Sequence, residues 1–164
     1  MQLGEGFAGT GADAAHLNTV LGTRTGPVGT AWATALATPR EGHVPFVAVV
    51  APNLPVKPMT LFVNKAAISS EEHGRLTWGA AQAGVASGVC DAVGEGVIAP
   101  GQIEDICLIA AVWVDPAASD EEAVFINNRA ATSAALRAGA QHLPRLAEVL
   151  AAAAEPRNPY FRRG

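Results

Sequence analysis

Three side chains invite a chemical reading before any element is placed. His16 and Asn18 sit two residues apart in Ala14–Gly22 (AAHLNTVLG), where successive side chains of a strand point to opposite faces. His16, Asn18 and Val20 then share one face, and Leu17, Thr19 and Leu21 the other. Imidazole titrates near neutrality, so His16 is the best general acid or base candidate in the chain. Taken by itself, a lone strand histidine fits a structural or surface role at least as well. Lys65 is one of only two lysines, with Lys57, in a chain whose other cationic side chains are arginine. Lysine is a compact charge whose protonation shifts readily on burial. A lysine closing an apolar strand is therefore a candidate site residue, and the plainer reading makes both lysines solvated strand-end charges. Gln82 supplies an amide near a helix start. Trp78 is a flat ring suited to stacking on a ligand, or to packing in a core or interface.

Other chemistries find no framework. His16, His43, His73 and His142 are scattered without ligand spacing, so no metal site is expected. There is no G-x-S-x-G elbow and no G-x-x-x-x-G-K-[ST] loop. Gly4, Gly6 and Gly9 match G-x-G-x-x-G, but that motif must follow a strand and open a helix, and here a strand-like segment follows. Cys90 and Cys107 lie in apolar surroundings without a C-x-x-C pattern and read as buried free thiols. A net charge of −4 offers no general attraction for nucleic acid or anionic lipid. The cluster Arg157, Arg162 and Arg163 reads as a solvated tail. The longest apolar run, Ile106–Val114, is about half a membrane span. No basic start with an apolar h-region follows Met1. These features predict a cytoplasmic protein with no nucleic-acid or membrane partner.

The elements that must position the candidates follow in order. Gln2–Phe7 reads as an edge strand, and Ala14–Gly22 as the second strand. Pro27 suits the first position of a helix that ends before Thr38-Pro39. Ser69 or Ser70 caps a turn carrying Glu71 and Glu72. Trp78–Gly96 is the second main helix, and Gly84 and Gly88 within it make sense if another backbone passes close by. Asp105–Asp115 is almost continuously apolar, as for a strand covered on both faces. Ser119-Asp120-Glu121-Glu122 opens a third helix with Val124, Phe125, Ala131, Ala135 and Leu136 on its buried stripe. Pro144–Ala154 adds an alanine-rich helix. The order predicts one α/β domain over residues 1–164, helices packed on a sheet, with 155–164 as an extended tail.

Between the first and second helices lies Phe46–Lys65 (FVAVVAPNLPVKPMTLFVNK), two β-branched runs flanking Pro52, Pro55 and Pro58. Each proline fixes φ and restricts its predecessor, so the connector is expected to be extended and stiff.

Over essentially its whole length the sequence resembles the formaldehyde-activating enzyme family. The resemblance is carried by GEGFAGTGADAAHLNTVLG, APNLPVKPMTLFVNKA, WGAAQAGVASGVCDAVGEGVI and NNRAAT, in this order. It implies a two-layer α/β sandwich like the second domain of ribosomal protein S5. It also implies a homopentamer with a pterin site between adjacent subunits. The implied reaction joins formaldehyde to tetrahydromethanopterin, giving the methylene derivative and water, with no tightly bound cofactor. His16 takes the place of the family's general acid, while Lys65 and Gln82 take those of pterin contacts. Asn18 stands where characterised members carry aspartate, Ala67 where they carry threonine, and Val47 where they carry leucine. Asparagine keeps hydrogen bonding but loses a charge next to His16, and Ala67 lacks a hydroxyl. The resemblance further implies that the prolines set Lys65 opposite His16 across a subunit boundary. Open alternatives are tetrahydrofolate or another amine acceptor, and a non-catalytic homologue that binds pterin or formaldehyde.

Overall fold

The computed structural model describes residues 1–158, so Arg162, Arg163 and most of the expected tail lie outside the described residues. Its centre is a five-stranded mixed sheet. Strand β1 (Gln2–Ala8) is the edge, followed by β2 (Ala15–Thr23), β7 (Ile106–Trp113), β6 (Met59–Asn64) and β3 (Phe46–Val47). All neighbours are antiparallel except β6 and β7. The chain is mixed α/β, as its element order suggests.

One face of the sheet carries the main helices. The first is a continuous helical stretch built from α2 (Glu71–Arg75), a π-helical segment (Leu76–Ala81) and α3 (Gln82–Gly94). The Ser70 side chain starts it by accepting from the His73 backbone N–H, which satisfies one of the orphan donors of a helix start. The second is α4 (Glu121–Ala140), capped by Asp120 accepting from the Ala123 N–H. Between helices and sheet lie Leu17, Phe62, Leu76, Val85, Ala110, Val112, Val124 and Ala131, all buried. Burying a large apolar side chain contributes roughly 1.5–3 kcal/mol, so this layer holds the fold together.

Close approach of backbones explains glycines the chain would otherwise avoid. A Cβ on Gly84 would lie 2.5 Å from the Phe125 carbonyl oxygen, and one on Gly88 2.6 Å from that of Arg129. The helix pair α3–α4 is therefore packed backbone to backbone, as the sequence suggests. Gly4 and Gly6 do the same for β1 beneath α4, where a Cβ would meet the Ala135 and Ala131 carbonyls at 1.9 and 2.0 Å. Two of the three glycines that mimic a dinucleotide motif, Gly4 and Gly6, serve this approach. Arg129 clasps Asp91 with two hydrogen bonds at 2.6 and 2.8 Å, and Arg137 bonds Glu95, tying the same two helices at their exposed side.

Three expectations need correction. The proline connector is a folded hairpin, not an extended segment: β4 (Val49–Ala51) turns through Asn53, at φ 64°, and returns as β5 (Leu54–Pro55). Proline fixes local stiffness, but asparagine tolerates the left-handed conformation that reverses the chain. Strand β7 is covered fully on one face only: Leu108, Ala110 and Val112 are buried there, while on the other face Ile109, Ala111 and Trp113 are partly exposed and only Cys107 is buried. Cys90 lies exposed on α3, whereas Cys107 is buried as expected. On the second face, α1 (Pro27–Ala37) covers only the end near Gly22, where Val28 packs against that glycine. The short helix α5 (Leu146–Ala152) completes the described chain. Among the described residues no helix is long and apolar enough to cross a membrane.

Candidate active site

The part of the second face left open by α1 carries the candidate chemistry. Strand alternation and register fix its composition. β2 presents His16 and Asn18, since Ala15, Leu17 and Thr19 are turned into the core. β1 contributes Phe7 opposite His16 and Glu5 opposite Asn18. β7 contributes Trp113 opposite His16 and Ala111 opposite Asn18. β6 contributes Val63 beside Ala111, and Lys65 follows at its end, its N–H bonded to the Val112 carbonyl at 2.8 Å. Two rows therefore cross the sheet: Phe7, His16, Trp113 and Lys65, and below it Glu5, Asn18, Ala111 and Val63.

Diagonal contacts between these rows build the site. The Lys65 ammonium donates to Asn18 Oδ1 at 3.0 Å, reaching across β7 over the small Ala111. The meeting of Lys65 with the His16 strand thus occurs within one chain and needs no subunit boundary. On the other side, His16 Nε2 lies 3.1 Å from Glu5 Oε1. Phe7 meets the imidazole edge-on, with ring centroids 6.1 Å apart and planes at 66°. Trp113 Nε1 is enclosed and has no hydrogen-bond partner. His16 and Glu5 keep 37% and 61% of their side-chain surface exposed, so both are open to a ligand.

The remaining candidates are placed differently. Val47 pairs with Leu61 on β3, so it is on the same face but toward the opposite edge. Gln82 opens α3 on the helical layer, is 7% exposed, and donates from Nε2 to the Val49 carbonyl at 2.9 Å. It stands at the β3 edge, three strands from β2, roughly 14 Å away at the usual strand spacing. The chain alone does not bring Gln82 to His16. Ala67 is exposed in the loop after Lys65, its Cβ 3.0 Å from where a Cβ on Gly42 would stand. Trp78 is 42% exposed on the π-helical segment, where it walls an open cleft of about 680 Å³ with Ile68, Gly74, Arg75 and Gly79. Lys57 keeps a structural role, bonded to both Glu104 carboxylate oxygens at 2.8 Å. That pairing holds the Glu104 carboxyl below its usual range.

Glu5, Phe7 and Trp113 escape a reading of the sequence alone. Their signal is relational: each becomes a neighbour of His16 only when β1 and β7 flank β2 in this register. Buried His73 is a structural residue, its Nε2 3.1 Å from the Val114 carbonyl and its Nδ1 3.2 Å from the Ser69 nitrogen. Among the described residues no three His, Cys, Asp or Glu side chains converge to hold a metal ion.

Comparison with known proteins bears directly on this face. A family model described as "Formaldehyde-activating enzyme (Fae)" matches residues 3–161. The chain belongs to the formaldehyde-activating enzyme family. Among its relatives is the 5,6,7,8-tetrahydromethanopterin hydro-lyase of Methanosarcina barkeri, 38% identical over 158 residues, which cover 96% of this chain and 89% of that protein. A bifunctional enzyme Fae/Hps of the same organism is 39% identical over 149 residues, covering 91% of this chain and 38% of the relative. That of Methanosphaera stadtmanae is 38% identical over 150 residues, covering 92% and 37%. The chain thus spans well under half the length of these bifunctional relatives, and most of the length of the hydro-lyase. All the candidate residues, from His16 to Gln82, fall inside the family match.

Proposed function

We propose that this chain condenses formaldehyde with a reduced pterin of the tetrahydromethanopterin type, giving the methylene-pterin and water, as a carbon–oxygen lyase. The observation that carries the reading is the meeting of His16, Asn18 and Lys65 on one open sheet face in a member of this family. The name of the M. barkeri hydro-lyase supports the choice of pterin.

The chemistry divides into steps that these side chains suit. One amine nitrogen of the pterin adds to the formaldehyde carbon, and proton transfer gives a carbinolamine. Water must then leave. His16, as imidazolium, protonates the hydroxyl; the C–O bond breaks, and an iminium remains. The second nitrogen closes on the iminium carbon and loses its proton, restoring the acid. Proton transfer by a placed side chain contributes typically 10²–10⁴-fold, and holding amine and aldehyde together contributes through proximity. No electrons enter or leave, so the sequence of steps draws on no redox cofactor.

Lys65, oriented by Asn18, holds a polar or anionic part of the pterin, and Val47 offers an apolar wall. Ala67 leaves room where a hydroxyl would stand. Gln82 reads an amide edge; its separation from His16 within one chain supports a site assembled between adjacent subunits. Exposed Leu3 and Phe7, which face the open side of β1, support the same arrangement. A homopentamer of single-domain subunits, with the fold of ribosomal protein S5 domain 2 and a cytoplasmic location, completes the reading. Light scattering on the purified protein tests the assembly.

Activity is tested by stopped-flow measurement of methylene-pterin formation with tetrahydromethanopterin and with tetrahydrofolate. The expected result is acceleration over the spontaneous reaction with the first, and loss of about 100-fold or more in His16→Ala. Acceleration with tetrahydrofolate alone would reassign the acceptor. Binding without turnover would make the chain a ligand-binding homologue.

A further inference from the structure

We propose that Glu5 is the positioning residue for His16: its carboxylate fixes which imidazole nitrogen carries the resident proton and so which one exchanges a proton with the ligand. The assignment rests on the reading of His16 as the acid, and it starts from geometry. Glu5 Oε1 lies 3.1 Å from His16 Nε2, within ion-pair reach of the ring. The contact follows from the pleat, because β1 pairs antiparallel with β2 in a register that sets Glu5 opposite Asn18 and one step diagonal to His16. The glycines on either side of Glu5 are occupied with α4, so β1 is pinned at this point and the carboxylate is held at a fixed height.

A carboxylate only accepts, so the nitrogen facing it carries hydrogen. Nε2–H is therefore the resident proton, and Nδ1 is the nitrogen that gives and takes. Phe7, edge-on to the ring, limits its rotation. This is the division of labour in any histidine oriented by a carboxylate: one nitrogen is anchored, the other works, and the anchor stabilises the imidazolium.

The other groups around His16 give Glu5 its weight. Lys65 is the cation on the face, and its ammonium is directed to Asn18. Asn18 is neutral and already spent on that bond. Trp113 flanks His16 from β7 and is neutral. Asp115, two residues past the end of β7, turns away to accept the Ala117 N–H at 2.9 Å. Asp13, three residues before His16, accepts from the Ser119 and Asp120 N–H groups. Glu5 is left as the carboxylate that faces the imidazole.

The test needs no ligand at its first stage. Nitrogen-15 NMR of the full-length protein, labelled at histidine, reports the tautomer of His16. The native protein should hold the proton on Nε2. Glu5→Gln keeps an acceptor but removes the charge, and should retain that tautomer. Glu5→Ala removes both, and should give a mixture of tautomers. In the methylene-pterin assay kcat should fall by roughly tenfold in Glu5→Gln and further in Glu5→Ala, with KM for the pterin within about twofold. Glu5 is an exposed edge-strand side chain, so both variants should fold, which the unchanged NMR spectrum of the core checks. A native proton on Nδ1, or a Glu5→Ala protein with the native tautomer and the native rate, would overturn the proposal. The expected tautomer change without catalysis in any form would support the role of Glu5 on His16 and overturn the lyase reading instead.

Discussion

Lys65 Nζ and Asn18 Oδ1 lie 3.0 Å apart across the width of β7. Their link spans two strand spacings because Ala111, on the strand between, leaves room for the lysine chain. An ammonium bonded to a neutral amide is oriented without being neutralised, and remains able to bind an anion. Asn18→Ala should therefore release the ammonium and raise the pterin KM by about fivefold, as expected for one hydrogen bond of roughly 1 kcal/mol. Steady-state kinetics would show KM rising while kcat holds. If kcat falls instead and KM is unchanged, Asn18 acts on the chemical step rather than through Lys65.

The α3–α4 contact gives a test at a distance from the site. Alanine at an exposed helix interior is favoured over glycine by about 1 kcal/mol. At Gly88 the new Cβ would stand 2.6 Å from the Arg129 carbonyl oxygen and 2.7 Å from Thr132 Cβ. Overpacking of that kind costs typically 1–3 kcal/mol. Gly88→Ala should thus destabilise on balance, while Gly94→Ala, with open space around it, should not. Urea unfolding of the two variants decides it, and a stabilised Gly88→Ala protein would mean that the helices separate freely.

How much of this was legible in the sequence depended on whether a residue's role is local. The alternation in Ala14–Gly22 placed His16 and Asn18 on one face because strand periodicity is intrinsic to the chain. The glycines of α3 announced a close neighbour because a helix interior otherwise avoids them. The prolines imply an extended, stiff connector, whereas its reversal depends on the single residue Asn53. Strand β7 looked doubly covered because Ile109, Ala111 and Trp113 are as apolar as their buried neighbours, while the open face that half-exposes them is a property of the assembled sheet. Glu5 carried no signal at all. An acid on an edge strand becomes a partner of His16 only through the register of β1 on β2.

Acid should loosen the α3–α4 helix pair at the Asp91–Arg129 contact. The two hydrogen bonds from Arg129 hold the Asp91 carboxyl below its ordinary range. A carboxyl whose value is lower folded than unfolded stabilises the native state above the unfolded value, about 4. That contribution is lost as pH falls through the folded value. The stability difference between native protein and Asp91→Asn should accordingly be constant from about pH 7 to 5 and shrink as pH falls below about 4. Urea titrations at stepped pH measure it. A gap that widens on acidification would contradict the pairing.

His73 joins the two segments that lead away from the site. It is 1% exposed on α2, and its ring spans from the loop after Lys65 to the residue after β7. The Ser69 N–H donates to Nδ1, so the ring proton is on Nε2, which donates to the Val114 carbonyl. Both backbone groups lose their partner if the imidazole is replaced by a phenyl ring. A buried group left unpaired costs about 1–3 kcal/mol, while the similar volume of phenylalanine limits any cavity cost. His73→Phe should therefore lose about 2–4 kcal/mol of unfolding free energy. Hydrogen exchange at the Ser69 amide should quicken more than the global loss alone requires. Because Lys65 and Trp113 lie just before the two tethered segments, pterin affinity should weaken with it, though His73 touches no ligand. An unfolding free energy within 1 kcal/mol of native, with Ser69 still protected, would show that the loop and β7 are held together by something other than this ring.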